Sequence, residues 1–279
     1  MIVTAIRLFS NDAQLTELSL DRASLSHSYI LRDAKGLDAD DITPRFYALN
    51  SSVTPKPRYY NQTLKPREVV LKIMLNPQLG SGQTYSSLRD ALYKAISPFR
   101  TSLIELRFMN GASVQAVLSG FITKMETVTF SQTPEVTITI RCDQPMLRSQ
   151  TPVSISTGAL SKSAPTITDS ISTAPHGFVL NVQMTGFGTS FNMSGTALGK
   201  EWSLSMSYTW QNLDQLWISS EDGNKYIYVV RSGVTTHLMD RLTVGSVWPI
   251  IFPGANPITI SPTTYNYVTW TYYNTFWGV

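Results

Sequence analysis

The sequence feature that most constrains the fold is a strict alternation of large apolar and small polar residues over residues 202–210. The large residues of this run are Trp202, Leu204, Met206, Tyr208 and Trp210. Successive side chains of a β-strand point to opposite faces, so a period of two predicts a strand with one buried face. Asp222-Gly223 is a reversal signal between further short apolar runs. The second half of the chain is therefore expected to form a β-sandwich.

The first half of the chain combines strands with one helix. Residues 69–75 are an apolar run typical of a buried strand. Apolar residues recur at three- and four-residue steps over 84–97, which predicts a helix with Thr84 or Ser86 at its start. Pro98 is expected to end this helix, because the residue before a proline is pushed away from helical angles.

Two strand pairs are expected after the helix. Residues 103–109 and 113–118 flank Asn110-Gly111, which predicts a hairpin. Residues 120–130 and 134–142 are expected to form a second pair. In the latter run, valine and isoleucine alternate with threonine and arginine, so one face of the strand should be buried.

A change in composition near residue 150 predicts a domain boundary. Residues 1–150 hold 17 Lys and Arg against 13 Asp and Glu, whereas residues 151–279 hold 5 against 6. All six tryptophans lie beyond residue 200, and a tract rich in Ser and Thr separates the two parts. We expect one domain over 1–148 and a second over 149–279, which includes the Ser/Thr-rich connection.

Residues 32–67 follow neither period and contain four prolines. A segment of this length without structure is uncommon inside a compact domain. It is either a disordered loop or an arm that becomes ordered against a neighbouring subunit, and we favour the arm. The expected subunit contacts of the arm are Arg45, Lys56, Arg58, Tyr59 and Tyr60.

The residues of catalytic and metal sites do not occur in the required patterns. Gln83 stands where a phosphate-binding loop needs lysine, and His27, His176 and His237 lack a second ligand at metal spacing. Cys142 is the single cysteine, so an internal disulfide is excluded. The net charge of +3 is too small for a dedicated nucleic-acid binder. We predict that the protein is not an enzyme and has no catalytic, metal or cofactor site. The longest apolar runs are too short to insert into a membrane.

The aromatic residues of the second half have two interpretations. They form either the core of the sandwich or an exposed platform for a sugar or a partner protein. The candidate platform residues are Trp210, Trp217, Trp270, Tyr272, Tyr273 and Trp277.

Two stretches resemble a known family. Residues 120–147, with Cys142, Asp143 and Pro145 after a loop containing Phe130, are similar to the end of the first domain in the distal tail (Dit) proteins of long-tailed siphophages. The strand–helix–strand order before them is similar as well.

Residues 242–260 resemble the closing element of the same family. There, Pro253, Gly254 and Asn256 would form the turn before a final strand at 258–260.

This resemblance implies a mostly β protein with a tail-tube-like β-sandwich and one helix, followed by a galectin-like β-sandwich. It implies a homo-hexameric ring at the distal end of the tail of the virion, in a protein made in the host cytoplasm. The implied partners are other copies of the chain, the tail tube protein, the tail-tip hub protein and receptor-binding or side-fibre proteins. DNA would pass through the ring only transiently, and the family brings neither cofactor nor membrane insertion.

Two other functions compete with this interpretation. The second domain is alternatively a carbohydrate-binding, lectin-like module for host recognition, with sugars held on Trp210, Trp217 or Trp270. A hydrolase acting on polysaccharide would need two carboxylates at a cleft, and the sequence offers no evident pair.

Overall fold

The computed structural model divides the chain into two compact units. It describes residues 2–10, 13–21, 26–38, 42–47, 58–78, 81–97, 103–127, 134–158, 166–197, 200–261 and 265–278, with backbone only for 42–47, 58–64, 158, 197 and 200. The first unit comprises Met1–Arg148 and Trp277–Val279, and the second comprises Ser149–Phe276. The described part is mostly β, with one α-helix and one short 3-10 turn, so the predicted fold class is confirmed at that level. No described helix is long and apolar enough to cross a membrane.

The first unit contains ten described strands and the helix. They are β1 (Ala5–Ser10), β2 (Ala13–Ser19), β3 (Tyr29–Lys35), β4 (Ile42–Tyr47), β5 (Arg58–Leu64), β6 (Arg67–Leu75), α1 (Tyr85–Ala95), β7 (Ile104–Asn110), β8 (Ser113–Thr127), β9 (Glu135–Cys142) and β10 (Leu147–Arg148). Seven of the strands pair in the order β8-β7-β1-β2-β3-β6-β9, and β9 pairs back to β8. The sheet therefore closes into a seven-stranded barrel, whereas the family resemblance implied a β-sandwich.

Strand β8 closes the barrel because it is long enough to pair with two neighbours. Its first half pairs with β7 and its second half with β9. The sequence predicts two separate strands here, and the structure joins them through Gly120. A Cβ at Gly120 would lie 2.6 Å from the Arg141 carbonyl oxygen and 2.7 Å from Cys142 Sγ, so glycine is required where the strand changes neighbours. The described part of this strand ends at Thr127, so the predicted loop residue Phe130 lies outside the described residues.

The core of the barrel follows the predicted alternation. In β9, Val136, Ile138 and Ile140 are fully buried, while Thr137 and Thr139 on the other face are half-buried. All neighbouring strand pairs of the barrel are antiparallel except β2 and β3, which meet in parallel at Ser19 and Ile30. The prediction of a buried strand over 69–75 is confirmed within β6.

The predicted helix is confirmed, and its first turn is fixed by a capping box. The Thr84 hydroxyl accepts a hydrogen bond from the Ser87 backbone N–H at 3.1 Å, and Ser87 Oγ accepts one from the Thr84 backbone N–H at 2.9 Å. Leu88 and Leu92 are the buried residues of the helix. The helix ends at Ala95, and Ile96 is its C-cap.

The predicted arm is shorter than residues 32–67 and contains a β-hairpin. Residues 32–35 belong to β3 and Arg67 belongs to β6, so the segment between barrel strands is 36–66. Within it, β4 and β5 pair antiparallel as a two-stranded sheet, with a register shift between Arg45 and Phe46. We call β4 and β5 the arm hairpin. Its paired residues are 11 to 22 positions apart, from Tyr47 and Arg58 to Ile42 and Leu64, and a search for local periodicity does not detect such pairing.

The second unit contains two sheets. Its strands are β11 (Val153–Gly158), β12 (Thr166–Asp169), β13 (Val179–Met184), β14 (Gly188–Ala197), β15 (Lys200–Trp210), β16 (Gln215–Ser219), β17 (Tyr226–Arg231), β18 (Val234–His237), β19 (Gly254–Ser261), β20 (Tyr265–Tyr272) and β21 (Thr275–Phe276). The six-stranded sheet has the order β11-β20-β13-β16-β17-β18, and the four-stranded sheet has the order β12-β19-β14-β15. Residues from both sheets form one apolar core.

The alternation in β15 is confirmed as the pattern of a strand with one buried face. Trp202, Leu204, Met206 and Trp210 are buried in the core, while the serines between them are exposed or half-buried. The edge of β15 that has no described neighbouring strand is covered by the loop that follows the 3-10 turn. The backbone N–H groups of Thr243 and Val247 donate to the carbonyl oxygens of Ser205 and Ser203, at 2.8 and 2.7 Å.

The closing element differs from the expectation in its bounds. The strand begins at Gly254, which has a φ of +103°, and it is followed by β20 and β21. Asn256 is buried, and its Nδ2 donates to the Phe252 carbonyl oxygen at 2.7 Å while its Oδ1 accepts from the Phe252 N–H at 2.9 Å. Asn256 therefore fixes the loop from within the strand.

Candidate functional site

Most residues of the predicted aromatic platform are buried. Trp210 and Trp270 are 1% and 0% exposed, and Tyr272 is 3% exposed, so these three belong to the core of the second unit. Their burial removes them as contacts for a sugar or a partner. Tyr273 and Trp277 are half-buried. Trp270 and Tyr272 are buried because they share one face of β20 with Val268, and this face packs into the core.

Trp217 is the platform residue that lies on an outer sheet face. It stands in β16 between the buried residues Leu216 and Ile218, so its ring is on the side of the six-stranded sheet that faces away from the core. Its ring centroid is 6.1 Å from that of Tyr228, and the two planes are 18° apart. Tyr228 also stacks with Tyr226 at 5.3 Å and meets His237 edge-on at 6.2 Å.

The register places these rings in a cross-strand row. One residue from each strand of the six-stranded sheet contributes, and we call this set the outer row: Ser156, Thr269, Asn181, Trp217, Tyr228 and His237. The sequence signal for this row was present in five of the six strands, where these residues alternate with core residues, whereas all four residues of β18 are exposed. The partner strands that bring them together are up to 113 residues apart, which sequence reasoning did not resolve.

Asn181 is the unusual member of the outer row. It is 6% exposed, and its Nδ2 is buried without a hydrogen-bond partner. A buried amide donor that finds no acceptor destabilises the protein by roughly 1–3 kcal/mol. Beside it, the Ser156 and Thr269 hydroxyls lie 3.2 Å apart and form one hydrogen bond with each other.

A second cluster, around His176, was missed by the sequence analysis. His176 Nε2 lies 2.8 Å from Asp169 Oδ2, and Nδ1 lies 2.9 Å from the Gly177 carbonyl oxygen. The imidazole also stacks on Tyr272, with centroids 4.9 Å apart. Ser172 donates its backbone N–H to Asp169 Oδ1 at 3.0 Å, and its Oγ accepts the Thr275 N–H.

This cluster contains the residue types of a hydrolase triad but lacks its geometry. The Ser172 hydroxyl contacts the Asp169 carboxylate, while both imidazole nitrogens are occupied by Asp169 and Gly177. A nucleophilic serine needs a hydrogen bond to its base. Asp169, Ser172 and His176 are also buried, so we assign them a structural role in joining β12 to the segment before β13.

The charges of this cluster affect two pKa values. Burial acts to raise the pKa of Asp169, but hydrogen bonds from Ser172, His176 and Ile171 outweigh it and lower that pKa below the ordinary 3.8. Burial, reinforced by the nearby Asp169 charge, raises the pKa of Tyr272.

Two arginines on the described part of the barrel, Arg7 and Arg107, have carboxylate partners. Arg7 and Arg107 are cross-strand neighbours, and Arg7 Nε donates to Glu17 at 2.6 Å. Arg107 Nη2 donates to Glu105 at 2.9 Å, and its guanidinium lies over the Phe9 ring. Since these arginines already have carboxylate partners, they add little to any attraction for DNA.

The predicted contacts of the arm lie on the arm hairpin, with one exception. Arg45 is in β4, and Arg58, Tyr59 and Tyr60 are in β5, where the backbone is described. Lys56 lies outside the described residues. Among the described residues there is no group of three His, Cys, Asp or Glu that could hold a metal ion.

Comparison with known proteins gives a result at the level of structure. No family model matches the sequence, and no curated protein matches it either. The Dit protein of phage SPP1, described as a paradigm of the hub adsorption apparatus in phages that infect Gram-positive bacteria, superposes with a TM-score of 0.62. The match covers 96% of this chain and 98% of the SPP1 chain, at 12% sequence identity. The chain has a Dit-like fold.

Two chains of the phage p2 baseplate, in its activated conformation with calcium or strontium, also match. Their TM-scores are 0.45 and 0.44 at 8% identity, with 96–98% of each chain covered, so they add nothing to the assignment of the Dit-like fold. The fold assignment agrees with the family that residues 120–147 and 242–260 resemble.

Proposed function

We propose that this protein is a structural subunit of a bacteriophage tail tip. In this role it forms a ring that joins the tail tube to the tail-tip hub and braces host-recognition proteins. The observation that carries the proposal is the Dit-like fold, which extends over 96% of this chain and 98% of the SPP1 protein. Barrels and sandwiches are common architectures, so a match to one of them alone would say little about function. Here the match extends over both units, which a shared architecture alone does not explain.

The arm hairpin supports assembly with other copies of the chain. Within the described residues its two strands pair only with each other, and an isolated two-stranded hairpin is marginally stable in water. Contact with a neighbouring subunit would stabilise it. A closed ring needs two different patches on each subunit, and a projecting segment that meets a neighbour provides one of them.

The second unit is proposed to be the outer, galectin-like sandwich of this ring subunit. Its two sheets share one apolar core, as the two layers of a sandwich do. The remaining proposed partners are the tail tube protein, the hub protein and receptor-binding or side-fibre proteins at the distal end of the virion tail. DNA would pass through the central hole without a dedicated binding site.

Negative-stain electron microscopy combined with light scattering tests the proposal. The purified chain is expected to form rings with a central hole and a mass of about 190 kDa, for six copies of a 31.1 kDa chain. If it stays monomeric alone, the hub or tube protein should be added, because a neighbouring component can be needed to nucleate a ring. Monomers in both preparations would contradict the proposal.

A further inference from the structure

The outer face of the six-stranded sheet has an unusual composition. Along the six strands, the positions that share the face of the outer row by register carry hydroxyl, amide, aromatic and valine side chains and one histidine. None of these described outward positions holds Lys, Arg, Asp or Glu. An exposed sheet face normally uses charged residues for solubility, so their exclusion from six neighbouring strands requires another explanation.

The lack of charged side chains at the described outward positions limits which ligands this face can bind. A phosphate, sulfate or acidic glycan would require arginine or lysine on the face. A protein interface of useful size also uses Tyr and Trp, but its centre adds aliphatic side chains, and Val179 and Val230 are the only aliphatic residues at the described outward positions. What remains is a neutral ligand that offers both a flat apolar surface and many hydroxyl groups.

We propose that the outer row binds a neutral saccharide. A pyranose ring presents C–H groups on its faces and hydroxyls around its rim, so it matches near-parallel aromatic rings flanked by amide and hydroxyl groups. Trp217 and Tyr228 supply the aromatic surface, because an aromatic face carries negative charge density that attracts C–H groups. The row continues to Asn181, Thr269 and Ser156, which supply the polar contacts.

The side chain of Asn181 also indicates a ligand at the outer row. Its Nδ2 is a buried donor without an acceptor, and a sugar hydroxyl would satisfy it. This atom is covered in the free protein, so a neighbouring side chain of the row must shift for the hydroxyl to reach it. Trp217 is directly opposite Asn181 in the register, and binding should therefore change tryptophan fluorescence.

The site differs from the predicted platform. Trp210 and Trp270 are in the core, whereas Trp217 is the one tryptophan shared by the predicted platform and the outer row. The saccharide proposal rests on the surface of the second unit and not on ring assembly.

Saturation-transfer NMR of the full chain tests it, with glucose, galactose, N-acetylglucosamine, mannose, rhamnose and maltose as probes at millimolar concentration. A glycan array then compares neutral glycans with those that carry phosphate, sulfate or carboxylate. We expect transfer to at least one neutral probe and no preference for the acidic glycans. The proposal is overturned if none of the neutral probes or glycans binds, or if the acidic glycans bind better.

Three variants assign the binding to the outer row. Trp217→Ala should weaken binding by roughly tenfold or more, the loss typical of an aromatic hot spot. Asn181→Ala should weaken it as well, while the melting temperature stays the same or rises because an unpaired buried donor is removed. Phe187→Ala is the matched control, since this aromatic ring is 83% exposed in the turn between β13 and β14 and is not part of the outer row.

If Trp217→Ala does not fold, the saccharide affinity of Asn181→Ala tests the assignment. Unchanged affinity in a folded Asn181→Ala or Trp217→Ala protein contradicts the assignment. Ring formation is measured separately by microscopy, so failure of the saccharide site and failure of the tail-tip proposal give different results.

Discussion

Gly195 in β14 makes room for the indole of Trp202. The two residues are cross-strand partners, and a Cβ at Gly195 would lie 2.4 Å from Trp202 Cζ2 and 3.1 Å from the Pro257 carbonyl oxygen. Trp202 is buried on the core face of β15, where neighbouring side chains restrict any shift of its ring. The glycine is therefore a packing requirement and not a turn signal.

Gly195→Ala is expected to lower the free energy of unfolding by about 1–3 kcal/mol, because the added methyl group overpacks the core. Chemical denaturation followed by tryptophan fluorescence measures it. Gly188→Ala in the same strand is the matched control. Its Cβ would make an ordinary 3.5 Å contact with Trp210, so its effect should stay within about 1 kcal/mol. Equal effects of the two substitutions would contradict the packing argument.

Asp169 should make the stability of the protein depend on acid pH. Its pKa is lowered in the folded state, so its ionised form stabilises the fold above about pH 4, and this contribution is lost as pH falls through the lower folded pKa. Asp169→Asn should cost roughly 2 kcal/mol at pH 7, the scale of hydrogen bonds to a charged group. The difference from wild type should shrink when unfolding is measured near pH 3.

Asp222→Asn is the control for this experiment, because the Asp222 side chain is 89% exposed on a turn. It should leave the unfolding free energy near that of wild type at neutral pH. A difference between wild type and Asp169→Asn that is as large at pH 3 as at pH 7 would contradict the role assigned to the carboxylate.

At the scale of elements, the arm hairpin is the segment that we expect to hold neighbouring subunits together. Strands β3 and β6 pair antiparallel up to Lys35 and Val70, so their ends are already adjacent without the segment between them. Replacing residues 39–64 by a short Gly-Ser linker should therefore leave the barrel folded. Rings should be lost, and light scattering should report monomers.

Single substitutions test the contact at the arm hairpin. Tyr59 and Tyr60 are successive residues of β5, beside the register shift of the hairpin. At least one of Tyr59→Ala and Tyr60→Ala is expected to weaken the ring, as seen by dissociation on dilution. Rings that persist after replacement of residues 39–64 would show that the arm hairpin is not the contact.

The elements that sequence reasoning predicted well are those with local signals. The helix at α1, the alternation of β9 and β15 and the reversal at Gly223 depend on residues within a few positions of one another. Closure of the barrel depends on one long strand that pairs with both β7 and β9, and this pairing is non-local. The sequence offers a single glycine at the junction, and a glycine inside a strand pattern also fits a break between two strands.

The candidate site was only partly predictable for the same reason. An aromatic residue in an alternating strand belongs either to the core or to the outer face, and the sequence does not say which face is buried. Trp217 and Trp270 were therefore both candidates for the platform, although one is on the outer face and the other is fully buried. Asp169 and His176 are seven positions apart, and the six residues between them have no regular structure, so no periodic pattern indicated the pair.

At the scale of the whole molecule, the two units carry different natural reporters. Cys142, the single cysteine, is fully buried in the barrel beside Gly120, whereas five of the six tryptophans lie in the second unit. A thiol reagent should label the native protein at least about a thousandfold more slowly than the denatured chain, because access requires opening of the barrel. Rapid labelling in native buffer would contradict the burial of this thiol.

Labelling of the buried Cys142 thiol therefore measures the opening of the first unit, independently of the tryptophan fluorescence of the second unit. With rising denaturant, thiol labelling follows the barrel while indole emission follows mainly the second unit. Coincident midpoints would mean that the chain unfolds as one cooperative body, and separate midpoints would give each unit its own stability. The same two readouts would show, without any added label, which unit a ring contact or a bound sugar stabilises.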